Sequence, residues 1–133
     1  MIIGQDMDVA KVRRRVLALE RERQTLLQAV LRPGPMVSGG LVERWIVCGK
    51  EGCRCSLGER HGPYYYRSVL KSGGPRLEYV GKGEQPDVPL LKRYQEYQRR
   101  MARLGAVHRE MVELLWRLAG QKIRKPARRG GAG

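Results

Sequence analysis

Phenylalanine is absent from this 133-residue chain, whose aromatic side chains are six Tyr and two Trp. Those rings carry a polar handle, so they suit half-buried surfaces better than a large dry core. Long apolar runs are missing as well, and none approaches the ~18 residues that a membrane-crossing helix needs. The opening MIIGQDMD has neither a basic n-region nor an apolar h-region. The expectation is a cytoplasmic setting that keeps thiols reduced, with no membrane association. Histidine occurs only twice, no pair of carboxylates stands at an element boundary, and no phosphate-cradling glycine loop opens a helix. GKGEQP at 81–86 lacks the P-loop spacing, and a strand-transfer tyrosine among residues 64–66 would sit in a chain small for a recombinase. No catalytic residue is nominated, and the chain is expected not to be an enzyme.

Acidic side chains are scarce: 13 Asp and Glu face 27 Lys and Arg, for a net charge of +14. The excess is not confined to one end. Residues 1–35, 36–85 and 86–120 each carry a net +3, and the last thirteen residues add +5. Positive charge on every element fits a polyanionic partner, nucleic acid first. A solvated, Arg-rich surface is the plain alternative.

Cysteine is rare but concentrated. All three fall within eight residues, in the string Cys48-x4-Cys53-x-Cys55-x5-His61, threaded with Gly49, Gly52, Gly58 and Gly62. Three soft thiolates and an imidazole at short spacing are the donors of a tetrahedral structural zinc site, and the glycines permit the turns that converge them. A disulfide fits worse, because the count is odd and Cys53 and Cys55 are too close for an unstrained bridge. His108 is the rival fourth ligand, far away in sequence.

Apolar positions organise the flanks. Val9, Val12, Val16, Leu19, Leu26 and Val30 keep gaps of three and four, broken once by Arg23, and predict a helix over 8–31, about 35 Å long. Asp6 and Asp8 suit its N-terminal dipole, and Arg32-Pro33-Gly34-Pro35 stops it. PGPMVSGG at 33–40 reads as a linker. A β module is expected over 41–81, with strands at 41–47, 64–70 and 76–81 and the cysteines between the first strand and a hairpin. Period two puts Tyr64, Tyr66 and Ser68 on one face and Tyr65, Arg67 and Val69 on the other, one face packing and one open to stacking. Trp45 and Val47 are assigned to the small core. A second helix is predicted over 87–120, with a seam of Leu90, Tyr94, Tyr97, Met101, Leu104, His108, Met111, Leu115 and Leu118; Gly105 allows a bend. Residues 121–133 lack periodicity and read as a disordered basic tail. The fold class is therefore α+β: two long coiled-coil-like helices flanking a zinc-stabilised antiparallel β module. The seams would close a helical hairpin or join two chains.

The segment CGK-x2-CxC-x5-HGPYYY, from Cys48 to Tyr66, resembles a widespread family of small uncharacterised bacterial and mobile-element proteins. The likeness extends over roughly residues 41–118, through a short hairpin ending at Tyr79-Val80 and a long basic helix. It implies that Cys48, Cys53, Cys55 and His61 act together, and it implies little about activity.

These readings point to a zinc-containing nucleic-acid-binding protein, DNA before RNA, with an accessory or regulatory role on a mobile element or phage. The candidate contacts are Arg54, Arg60, Tyr64, Tyr66, Arg67 and Lys71 around the β module, Arg99, Arg100 and Arg103 on the second helix, and Lys122, Arg124, Lys125, Arg128 and Arg129 in the tail. The alternatives are a coiled-coil interaction adaptor with a structural zinc, and an RNA-binding protein. A homodimer, or a partner protein held through the helices, completes the expectation.

Overall fold

The computed structural model describes residues 7–127 of the chain. The element order is α1 (Val9–Val30), β1 (Gly40–Ile46), a single 3-10 turn (Arg54–Leu57), β2 (His61–Lys71), β3 (Gly74–Lys82) and α2 (Asp87–Gly120). The class is α+β, with two helices and one three-stranded antiparallel sheet in the order β1-β2-β3. The chain divides into two compact units. Among the described residues, 7–29 and 102–127 form one, and 30–101 form the other.

The helical unit starts at a cap. The Asp8 carboxylate accepts the Lys11 backbone N–H at 3.1 Å, satisfying one of the free donors at the start of α1. Leu19 and Val107 are fully buried and Leu114 nearly so, with Val12, Val16, Leu26 and Met111 packed against them. Two bidentate pairs flank this row: Arg15 grips Glu110 at 2.8 and 3.0 Å, and Arg103 grips Glu22 at 2.5 and 2.7 Å. Arg23, which breaks the apolar rhythm of α1, folds back on Glu20 at 2.5 and 2.6 Å. The buried row on α2 keeps Met111 of the expected seam but otherwise lies one residue away from it. Val107 and Leu114 take the buried places, while Leu115 is 48% exposed and His108 faces solvent.

The second unit has a thin apolar interior. Its buried apolar side chains among the described residues are Val30, Cys55, Val88 and Leu91, none of them on a strand. Backbone contacts hold the approach to the helix: Val37 N donates to Leu90 O at 3.2 Å, and the Tyr97 hydroxyl to Val30 O at 3.2 Å. In β1, Leu41 pairs with Arg67 and Glu43 with Tyr65, whereas Val42 pairs with Tyr66 and Arg44 with Tyr64. Trp45 and Val47 are half exposed, at 49% and 51%, and so lie outside any core; the Trp45 ring N–H reaches Glu43 at 3.0 Å.

Beyond Gly120 there is a turn at 121–122 and no helix or strand in 123–127. The rest of the segment expected to be disordered, with Arg128 and Arg129, lies outside the described residues.

Candidate metal centre

Four donor atoms converge where β1 runs out and β2 begins. The sulfurs of Cys48, Cys53 and Cys55 and a ring nitrogen of His61 all lie within 4.8 Å of one another. Cys48 Sγ is 3.3 Å from Cys55 Sγ, and His61 Nε2 is 3.1 Å from Cys48 Sγ and 3.2 Å from Cys53 Sγ. A tetrahedral zinc with 2.3 Å bonds to sulfur separates its sulfurs by about 3.8 Å, so these separations bracket one ion with all four side chains in its shell. His108 belongs to the helical unit, and His61 is the nitrogen donor of this cluster.

The local sequence explains the convergence. Cys53 N donates to Lys50 O at 3.3 Å, closing a turn between the first two cysteines. The 3-10 turn from Arg54 then carries Cys55 inward, leaving it only 1% exposed. Gly58 ends that turn at φ 107°, a conformation L side chains rarely adopt, and its N–H returns to Cys55 O at 3.3 Å. Gly62 has φ 152°, and a Cβ there would fall 2.9 Å from Arg44 O and from the Trp45 ring. Only glycine lets β1 run so close beside His61.

The local environment pushes two of the thiols in opposite directions. The Lys50 backbone N–H, with help from the neighbouring cysteines, holds the Cys48 thiol below its ordinary pKa. Burial pushes the Cys55 thiol up to about 11, since a thiolate there is poorly solvated. Cys55 Sγ also accepts the Cys48 backbone N–H at 3.2 Å, the type of contact that steadies a metal-bound sulfur.

The structure distributes the candidate nucleic-acid residues unevenly. Tyr64 and Tyr66 share one sheet face. Arg54 and Arg60 are exposed in the cluster loop, with Glu59 3.9 Å from Arg54. Arg67 lies on the opposite face, held by Ser38 O at 2.5 Å and Glu78 at 2.9 Å, and Lys71 meets the same Glu78 at 3.2 Å. Arg99 is exposed, Arg100 pairs with Glu96 at 2.7 Å, and Arg103 is engaged with Glu22. Lys122, Arg124 and Lys125 are exposed past the end of α2.

Three residues escaped the sequence reading. Tyr79 pairs in register with Tyr66 and Lys82 with Tyr64, because a bulge at Val80 shifts the phase of β3. Straight alternation puts positions 79 and 82 on opposite faces, so no sequence signal announced the pairing. Arg44, the third, joins the same face through its pairing with Tyr64. Its guanidinium sits 5.2 Å over the Tyr66 ring, and Lys82 Nζ sits 5.5 Å over the Tyr64 ring.

Among the described residues, no helix is long and apolar enough to cross a membrane. A family model described as "Domain of unknown function (DUF6788)" matches residues 11–90, a span holding α1, the whole sheet and all four metal-site residues. No curated protein and no solved structure matches the chain. The chain belongs to the DUF6788 family.

Proposed function

We propose that this member of the DUF6788 family is a nucleic-acid-binding protein whose β module is held by one structural zinc. The observation that carries the reading is the open sheet face, where Arg44, Tyr64, Tyr66, Tyr79 and Lys82 stand together. The acidic strand residues Glu43 and Glu78 pair with Tyr65 and Arg67 and so occupy the other face. A patch of cations and aromatic rings free of carboxylates suits a phosphate backbone with attached bases. The net charge of +14 supports the same partner.

Zinc is the ion that three thiolates and an imidazole favour, and four protein ligands complete its tetrahedron. A filled shell leaves no position for substrate, so the metal shapes the loop and takes no part in chemistry. The resemblance in sequence adds a setting: an accessory or regulatory role on a mobile element or phage, with DNA ahead of RNA. Exposed Arg54 and Arg60 at the cluster, and Lys122, Arg124 and Lys125 past α2, supply further phosphate contacts in this account.

Titration of the zinc-loaded protein against labelled DNA and RNA across a salt series tests it. The log of the affinity should fall with log salt by about 0.9 for each phosphate neutralised on duplex, or about 0.7 on a single strand. Absence of binding at low salt to any of these partners overturns the proposal.

One observation favours a second reading, the interaction adaptor. Val112, Leu115, Trp116 and Ala119 line an apolar groove on α2 at helical spacing, with Trp116 68% exposed. In that reading a second copy of the chain covers the groove. Light scattering should then give twice the chain mass, and Trp116→Glu should return it to one.

A further inference from the structure

The two faces of the sheet differ in what they can receive. Tyr65 lines a cleft with Pro63, Val88 and Pro89, and Arg67 and Val69 line a groove with Tyr94 and Gln98, so their face is turned toward the first turns of α2. The face bearing Tyr64, Tyr66 and Tyr79 is the open one, and Tyr79 is 59% exposed. We infer that this open face is a stacking platform for unpaired bases, so that the partner is single-stranded nucleic acid. The inference rests on the nucleic-acid reading above and names its substrate class.

Three features argue for unpaired bases over duplex. First, a duplex keeps its base faces stacked inside the helix and offers only edges and phosphates, whereas tyrosine rings are useful chiefly to a base whose face is free. Second, the spacing is that of an extended strand. Residues two apart on one strand, such as Tyr64 and Tyr66, stand about 6.8 Å apart. That is twice the ~3.4 Å step between stacked bases in a duplex, so neighbouring bases must unstack to meet successive rings. Third, the rings are not paired off face to face. Tyr66 and Tyr79 have centroids 5.4 Å apart and planes tilted by 57°, which leaves ring surface for a third planar group.

Arg44 and Lys82 fit the same occupant. Both are exposed, and each rests over a tyrosine ring by a cation–π contact. At an exposed site such a contact is weaker than base–aromatic stacking, so an arriving base can take the ring while the cation turns to the adjoining phosphate. The strand carboxylates Glu43 and Glu78 lie on the other face and so do not repel a backbone here.

Fluorescence anisotropy with three probes tests the inference on the zinc-loaded full chain: a short oligothymidine, an abasic sugar-phosphate strand of equal length, and a hairpin duplex. The expected result is oligothymidine binding at least about tenfold tighter than the other two. Tyr79→Ala should weaken oligothymidine by about tenfold and leave the abasic strand unchanged, while Tyr79→Phe keeps the affinity, because a phenyl ring still stacks. Equal binding of oligothymidine and the abasic strand, or a preference for the duplex, overturns the single-strand inference and leaves phosphate-driven binding standing. Binding of none of the three overturns both. Should Tyr79→Ala disturb the fold, seen as lost metal, the wild-type comparison of oligothymidine with the abasic strand still decides.

Discussion

The helical unit and the β unit of this chain are stabilised in different ways. In the helical unit, Leu19, Val107 and Leu114 are removed from water and bidentate arginine–glutamate pairs guard their flanks. In the β unit no strand side chain joins the buried apolar set, and three cysteines and a histidine converge within 4.8 Å. A small three-stranded sheet with one open face buries little apolar surface, and in the proposed account a metal cross-link supplies what a core does not. In this account one chain specifies its fold through apolar periodicity at one place and through ligand chemistry at another, and the two should fail separately.

The largest separation should come from Cys53→Ser. Removing one thiolate should abolish stoichiometric metal by elemental analysis. Hydrogen-exchange protection should then disappear from residues 40–82 while α1 and the last turns of α2 keep theirs. Uniform loss of protection in both units would erase the contrast.

Leu19→Ala probes the other side. It leaves a cavity where Leu19 meets Val107, and should cost about 2–5 kcal/mol in denaturant unfolding of the helical unit. Metal content should stay at the wild-type level. The corresponding change at the exposed Leu115 should cost much less, although Leu115 lay on the seam read from the sequence.

That misplacement shows what was legible and what was not. The helices could be read because gaps of three and four stop at Pro33 and start after Pro86, and they appear as Val9–Val30 and Asp87–Gly120. The phase of α2 could not be read, because Leu104, Val107, Met111, Val112, Leu114, Leu115 and Leu118 spread apolar character over more than one face. Only the partner helix selects Val107 and Leu114. The convergence of Cys48, Cys53, Cys55 and His61 was legible, since donor chemistry at short spacing has few other uses. The start of β2 at His61 was obscured by Gly62 and Pro63, which normally break strands; here a register shift between Arg44 and Ile46 accommodates them. The aromatic face stayed half hidden for the same kind of reason, a bulge at Val80 that no composition signals.

Acid should separate the units by a smaller margin. Their arginine partners hold Glu22 and Glu110 below the usual carboxylate range. A carboxylate with a depressed folded pKa stabilises above its unfolded value, and that contribution is lost as pH falls through the carboxylate range. These pairs are exposed, so the helical unit should soften only slightly, and more in low salt, where the pairs are unscreened, than in high. The β unit should fail at higher pH, where protons compete for the thiolates and His61 and expel the metal. Circular dichroism and metal release followed together through an acid titration would order the two events.

The most direct measurement combines metal content with chelation. Protein purified without chelator should carry one zinc per chain, and a strong chelator should remove it with loss of hydrogen-exchange protection across β1, β2 and β3 alone. Metal-free protein with three free thiols and a fully protected sheet would contradict the account.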